Sequence, residues 1–231
     1  MVRLTAPQTY MVITYLLAHQ RSSQIEISRA VGASRNLVNH VVKELEAPGI
    51  VEQRAKGHLE LKDPLRLLEV LSTERPLSRL VVKEIRTEES EVSKVERMVR
   101  NAAAVHNGAY ALTAFSALSK YIEYYITYPM VHVYSDRPLE LSDHITAGRG
   151  DVTVQILRPD SEAILRDARQ VKEFNVVEPV QVVIDLFCGG GAGRDGAMKL
   201  YAAAADLSSS LTVRPRGRDG VTLRRSSEMT G

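Results

Sequence analysis

The order of apolar and polar positions divides the first sixty residues into three short helices and two short strands. An apolar stripe with the period of an amphipathic helix covers residues 8–19. Ser23 and Glu26 have the spacing of a capping box, which predicts that a second helix starts there. Gly32 suits the left-handed turn after a helix, and Ser34 suits the cap of a third one. This order predicts a helix-turn-helix.

The third predicted helix has one apolar and one polar face. Leucines and valines occupy the apolar side, which must pack on a core. The opposite side carries Arg35, Asn36, Asn39, His40 and Lys43, and no carboxylate. Arginine and asparagine suit the edges of guanine and adenine, and lysine suits phosphate. We interpret residues 35–43 as the recognition helix of a DNA-binding unit, in preference to an ordinary surface helix of a small bundle.

A small basic hairpin is predicted directly after this helix. Ala47-Pro48-Gly49 ends the helix, and short apolar runs at 50–51 and 59–61 predict two strands. The loop region between them carries Arg54, Lys56 and His58. Helix, turn, helix and hairpin is the order of a winged helix, whose wing cations contact phosphate or the minor groove. The alternative is a solvated hairpin tip.

The remaining chain alternates between predicted strands and helices. Strands are predicted at 80–85, 131–134, 151–157 and 176–177, and helices at 64–75, 90–104, 110–125, 179–188 and 195–205. The predicted fold class is therefore α+β, with a winged helix at 1–75 and an α/β domain at 76–205. Residues 206–231 are rich in arginine, glycine and serine, and we expect a basic, disordered tail there.

Composition narrows the classes of function. The net charge of +2 means that any nucleic-acid binding must come from local patches. The single cysteine, Cys188, excludes an intramolecular disulfide and a cysteine-rich zinc site, and we expect it to be buried. The six histidines are scattered, so no metal or other cofactor is expected. No apolar run is long enough to cross a membrane, which predicts a soluble, cytoplasmic protein without a membrane partner.

Two segments of the second half carry a resemblance to a known family. One is YALTAFSAL at 110–118, and the other is VVEPVQVVIDLFCGGGAGRDGAMKL at 176–200. Together with the winged-helix order, they resemble the AbiEi-type antitoxins of type IV toxin–antitoxin systems and related regulators. The matching positions are Tyr110, Leu112, Thr113, Ser116, Ala117, Leu118, Val177, Pro179, Val180, Gln181, Asp185, Leu186, Gly193 and Arg194. The usual glycine after Leu-Thr is Ala114 here.

This resemblance implies a regulator without chemistry of its own. AbiEi-type proteins bind inverted repeats in their own promoter through the winged helix and repress transcription. They also counteract a nucleotidyltransferase-like toxin, which makes double-stranded promoter DNA and such a toxin the implied partners. Their C-terminal domain is similar in outline to the nucleotidyltransferase fold, so a degenerate version of that fold is implied here. A DNA-binding domain of modest intrinsic affinity usually binds as a dimer, so a homodimer is a further possibility.

The candidate catalytic residues favour a protein that is not an enzyme. An active nucleotidyltransferase needs two carboxylates one residue apart to hold its metal ions, and here Asp136 stands alone beside Arg137. We interpret Asp136 as a turn residue before Pro138. The glycine-rich segment 189–194 lacks the Gly-Lys-Ser/Thr ending of a phosphate-binding loop, and we expect an interhelical turn there. An active nucleotidyltransferase and a ligand-sensing regulator remain as alternative functions.

The remaining polar pair of interest lies on the helix predicted after residue 178. Gln181 and Asp185 are one helical turn apart, so their side chains face the same way. We expect them to hydrogen-bond to a backbone group elsewhere in the domain. His132 is predicted to be a strand residue without a functional role.

Overall fold

The computed structural model describes residues 3–54, 57–124 and 128–211. Its N-terminal unit combines three helices with a small antiparallel sheet in the strand order β1-β3-β2. The elements are α1 Pro7–His19, β1 Arg21–Ser23, α2 Gln24–Val31, α3 Arg35–Glu46, β2 Val51–Gln53 and β3 His58–Leu61. The predicted helices and hairpin are present. Strand β1 was not predicted, because its three polar residues have no alternation of apolar and polar positions. It forms a strand through its pairing with β3.

The three helices enclose a core that the apolar stripes predict. Ile13, Leu16 and Leu17 of α1 are almost completely buried, as is Ile27 of α2. Helix α3 contributes a row of buried aliphatic side chains, which are Val38, Val41, Val42 and Leu45. Because this side of α3 is fixed against the core, its polar side is held outward.

Helix α4, Pro64–Glu74, links the two halves of the chain. Asp63 caps it by accepting a hydrogen bond from the Arg66 amide at 2.9 Å. Leu67, Leu68 and Leu71 are buried, whereas Leu65 is 43% exposed. The buried side of α4 is the side that packs against a helix of the second unit, α9 (Pro179–Gly189). A 3-10 turn, Leu77–Leu80, follows.

The second unit is built on a six-stranded mixed sheet in the order β4-β7-β6-β5-β9-β8. Pairs β6–β7 and β5–β9 are parallel, and the other pairs are antiparallel. The strands are β4 Val81–Arg86, β5 Tyr110–Thr113, β6 Met130–Ser135, β7 Thr153–Leu157, β8 Arg169–Val171 and β9 Phe174–Val176. The helices are α5 Val92–Val105, α6 Ala114–Tyr121, α7 Pro138–Asp143, α8 Ala163–Arg166, α9 Pro179–Gly189 and α10 Gly193–Leu211.

Both faces of the central strands are covered. Val131 and Val133 of β6 alternate with His132 and Tyr134, and all four side chains are buried. Helices α6, α9 and α10 pack together, and α5 packs with α7. The mixed α/β architecture predicted for the second half is therefore present. Among the described residues, no helix has the length and apolar character that crossing a membrane requires.

The segment 110–125 does not form the single helix that we predicted. Residues Tyr110–Thr113 are a buried strand, and the helix begins only at Ala114. Ala114 has a φ of 49°, in the left-handed region, and this turn separates the strand from the helix. Alanine is a strong helix former, so the sequence pattern hides a break that glycine would have revealed.

Two predictions near the C-terminus meet different outcomes. The segment at 189–194 is the expected interhelical turn, with positive φ at Gly190 and Gly191. Helix α10 continues to Leu211, so the predicted disorder is wrong for residues 206–211. Residues 212–231 of the predicted tail lie outside the described residues.

Candidate nucleic-acid interface

Helix α2, which precedes the turn into α3, has a defined start and a defined end. The Ser23 amide donates to the Glu26 carboxylate at 2.7 Å, and the Glu26 amide donates to the Ser23 hydroxyl at 3.2 Å. This predicted capping box lowers the pKa of Glu26, chiefly through the hydrogen bond from the Ser23 backbone. Gly32 ends α2 with φ 66° and ψ 19°, the left-handed geometry that glycine adopts freely. The corner between α2 and α3 therefore begins at Gly32.

Helix α3 starts from a similarly defined cap. The Leu37 amide donates to the Ser34 hydroxyl at 3.2 Å, so Ser34 is the predicted N-cap. Across the corner, the Ser28 hydroxyl donates to the Ala33 carbonyl at 2.7 Å. Because the cap and the corner are both hydrogen-bonded, the direction of α3 relative to α2 is set by the chain itself.

The polar face of α3 is presented to solvent as predicted. Arg35, Asn36, His40 and Lys43 are exposed, and Asn39 is half-buried. The five side chains therefore lie on one outward surface, whereas the aliphatic side of the helix is buried. A helix of this width enters the major groove of B-DNA, where guanidinium and amide groups pair with base edges.

In the described part of the wing, the arginine and lysine side chains belong to a cluster of paired charges. Arg54 lies 2.5 Å from Glu60 and 3.7 Å from Glu52. Lys62 lies 3.3 Å from Glu52 and 3.5 Å from Glu60, and Arg21 lies 3.1 Å from Glu60. The hydrogen bond from Arg21 is the main cause of the lowered pKa of Glu60. Three cations thus share two carboxylates at this surface.

The predicted wing residues therefore have unequal positions. Arg54 is exposed but paired, His58 is exposed on β3, and Lys56 lies outside the described residues. The sequence prediction did not include Arg21 and Lys62, which the pairing of β1 and β2 with β3 brings beside Arg54. No local signal marks them, because their proximity is a result of strand pairing.

Comparison with known proteins agrees with this geometry. Residues 7–52 match the winged helix-turn-helix DNA-binding family. The N-terminal unit is a winged helix-turn-helix DNA-binding domain. The match runs from α1 into β2, so it includes the five polar residues of α3 but not residues 54–58.

Other comparisons add little. No curated protein matches the chain. Among solved structures, the solution structure of the antibiotic-resistance factor ANT(2'')-Ia is similar over 52% of this chain and 94% of its own. The two share 11% sequence identity with a TM-score of 0.35, and a likeness of that size carries no argument.

The winged helix is joined to the second unit through a buried guanidinium. Arg75, which follows α4, is 2% exposed. It donates hydrogen bonds to Asp160 at 2.8 Å, to Asp185 at 2.8 Å and to the Tyr134 hydroxyl at 2.9 Å. Its guanidinium also lies 5.1 Å from the centre of the Tyr10 ring of α1. Burial raises the pKa of Asp160, whereas the nearby Arg75 acts in the opposite direction.

Asp185 receives four hydrogen bonds at the centre of this joint. Besides Arg75, the donors are Gln181 at 2.9 Å, Tyr134 at 3.0 Å and Thr113 at 2.5 Å. Our expectation that Gln181 and Asp185 contact a backbone group is wrong, since both bind side chains. Gln181 also accepts a hydrogen bond from the Tyr10 hydroxyl at 3.0 Å. Their partners come from distant parts of the chain, which a single helix cannot reveal.

Proposed function

We propose that this protein is a sequence-specific DNA-binding transcriptional regulator that represses its own promoter. The observation that carries this proposal is the exposed face of α3, where two cations, two amides and an imidazole lie together between residues 35 and 43, a stretch that contains no carboxylate. This face belongs to a winged helix-turn-helix DNA-binding domain. Arg35 and Asn39 would read bases, and Lys43 would contact phosphate.

The charge balance supports binding as a homodimer to an inverted repeat. The net charge of +2 and the paired wing cations limit the electrostatic affinity of one copy. Two linked copies would place two recognition helices one helical turn of DNA apart. Arg54, His58 and Lys56 of the wing would add contacts to the backbone or minor groove.

The finer proposal is that the regulator acts as an AbiEi-type antitoxin without catalytic activity. The two segments that carry the resemblance are in contact. Thr113, in the first segment, hydrogen-bonds to Asp185, in the second, and helices α6 and α9 pack together. This contact supports the idea that the segments form one functional unit. The proposed partner is a nucleotidyltransferase-like toxin encoded by a neighbouring gene.

Fluorescence anisotropy with the DNA upstream of the gene tests the regulatory function. We expect selective binding over random DNA of equal length, and weaker binding at higher salt. Arg35→Ala and Asn39→Ala should each weaken specific binding by about 1–3 kcal/mol. Arg97→Ala, which removes an exposed cation from α5, is the matched control and should bind normally. Equal affinity of the α3 variants and wild type would contradict the proposal.

Co-expression with the product of a neighbouring nucleotidyltransferase-like gene tests the antitoxin role separately. Wild type should restore growth that this product inhibits. The double variant Arg35→Ala, Asn39→Ala should still restore growth, although it no longer represses the promoter. Growth inhibition that wild type does not relieve would exclude the antitoxin role and leave the DNA-binding function in place.

A further inference from the structure

A cleft of about 290 Å³ separates the winged helix from the second unit. Helices α1 and α2 form one wall, and the region from Ser161 through α8, with the start of α9, forms the other. The cleft is adjacent to the Arg75 joint, because Tyr10 and Gln181 belong to both. Its volume approaches the lower end of the range found for small-molecule sites.

The walls of the cleft are mainly apolar. Met11, Tyr15 and Val31 line the winged-helix side, and Ile164 and Val180 line the other side. Along α1, Met11, Tyr15 and Ala18 follow helical spacing on the side facing the cleft, away from the core stripe. A ligand between these walls gains free energy by removing apolar surface from water.

Most polar groups of the cleft already have partners within the protein. Arg166 pairs with Asp167, Glu178 pairs with Arg169, the Tyr10 hydroxyl donates to Gln181, the Thr14 hydroxyl donates to the Tyr10 carbonyl, and a ring nitrogen of His19 contacts the Tyr15 carbonyl. A charged ligand would have to compete with these existing ion pairs for its counter-ion. The lining therefore favours a neutral ligand over a charged one.

We propose that this cleft binds a neutral, largely apolar small molecule, and that its occupancy changes the affinity of the winged helix for DNA. Val31, in the wall, is the last residue of α2, and Gly32 and Ala33 alone separate it from Ser34, the cap of α3. A ligand that contacts both walls stabilises one arrangement of the two units. The arrangement that it selects determines how α3 meets the DNA.

The site itself is independent of the proposed function, but the regulatory effect rests on it. Binding is therefore measured first without DNA. The probe is N-phenyl-1-naphthylamine, a neutral dye whose fluorescence rises in apolar sites, added to the full chain. Its sulfonated analogue, 8-anilino-1-naphthalenesulfonate, has the same ring skeleton and a negative charge. We expect saturable 1:1 binding of the neutral dye, at least ten-fold tighter than that of the anionic one.

Two variants test whether the neutral dye binds in the cleft. Ala163→Phe fills it from α8, and Ala30→Phe fills it from the exposed side of α2. Each should weaken binding of the neutral dye at least ten-fold. Ala104→Phe, at an exposed position of α5, is the matched control and should bind the dye like wild type. Circular dichroism shows whether each variant is folded. If one of the two cleft variants does not fold, the other one alone provides the test.

The effect on DNA is measured by anisotropy with and without saturating neutral dye. A change of at least three-fold in the Kd of wild type, absent in Ala30→Phe, supports the proposal. Absence of saturable dye binding, equal binding of both dyes, or unchanged binding in both cleft variants would overturn it. So would a dimer of wild type that Ala30→Phe converts to monomer, since a second copy would then occupy the cleft. Dye binding without any DNA binding would instead contradict the proposed function.

Discussion

Arg75 donates a hydrogen bond of 2.8 Å to Asp185, and neither side chain is accessible to water beyond 2%. Arg75 ends the segment that follows the winged helix, and Asp185 lies in the middle of α9. Asp160, which is partly buried, is also bound to the guanidinium, so two carboxylates share one cation. This arrangement ties the charge balance of the junction to Arg75, beside the packing of α4 on α9 and the hydrogen bond between Tyr10 and Gln181.

Replacing Arg75 by Met is expected to destabilise the protein by about 3–5 kcal/mol, because the buried Asp185 and the partly buried Asp160 lose the guanidinium that they share. Urea denaturation followed by circular dichroism measures the change. Arg79→Met removes an exposed arginine four residues away and should have little effect. The double variant Arg75→Met, Asp185→Asn should recover part of the lost free energy of unfolding, since it removes the charge that Asp185 would carry without its guanidinium partner. A single Arg75→Met variant as stable as wild type would contradict this account of the joint.

Protein stability is expected to fall as the pH drops below neutral, in part because of His132. Burial lowers the pKa of His132 on β6 to about 4, from an ordinary value of 6.5. Between pH ~6.5 and ~4, His132 therefore binds a proton in the unfolded chain but stays neutral in the native state. Stability is lost as the pH falls through this range. Between pH ~7.5 and ~5 this amounts to about 2 kcal/mol.

Denaturation at the two pH values measures this contribution. His132→Gln should lose less stability on acidification than wild type by about that amount. His40→Gln, at an exposed histidine of α3, is the control and should follow the wild-type profile. Identical pH profiles for His132→Gln and wild type would rule out His132 as the source.

Glu60 is expected to restrain the DNA affinity of the wing. Its carboxylate engages Arg21, Arg54 and Lys62. Glu60→Gln removes the carboxylate that all three cations share and leaves only Glu52 near Arg54 and Lys62, so binding to any DNA should strengthen and its dependence on salt should become steeper. Anisotropy at several salt concentrations gives the slope. Glu69→Gln, at an exposed position of α4, is the control with the same charge change. An unchanged slope in Glu60→Gln would show that the wing does not contact DNA.

Cys188 is expected to be unreactive in the native protein. It is buried in α9, as predicted, and burial raises the pKa of its thiol to about 12. Because the thiolate is the reactive form, alkylation by iodoacetamide at pH ~8 should be very slow. The reaction should become rapid in denaturant, and mass spectrometry follows both. Rapid alkylation of the native chain would show that α9 opens readily.

Local chemistry in the sequence was sufficient to predict the winged helix. The capping box at Ser23, the left-handed Gly32 and the cap at Ser34 each act over a few residues, and the structure shows all three. The polar face of α3 follows from helical geometry alone once the helix is placed. In the second half, the same reasoning located α9 and β7 but read the strand at 110–113 as helix. The break there depends on the positive φ of Ala114, and an alanine in the sequence does not predict such a conformation.

Tertiary structure alone decided which charges meet. Nothing near Arg75 in the chain indicates that it would be buried, since its partners Asp160 and Asp185 are 85 and 110 residues away. The neutralisation of Arg54 by Glu60 likewise depends on the pairing of β3 with its neighbours. Helix caps and amphipathic faces are determined by contacts of short sequence separation, which a pattern records. Ion pairs between distant elements arise from packing, because folding brings together residues whose spacing in the sequence carries no trace of the contact.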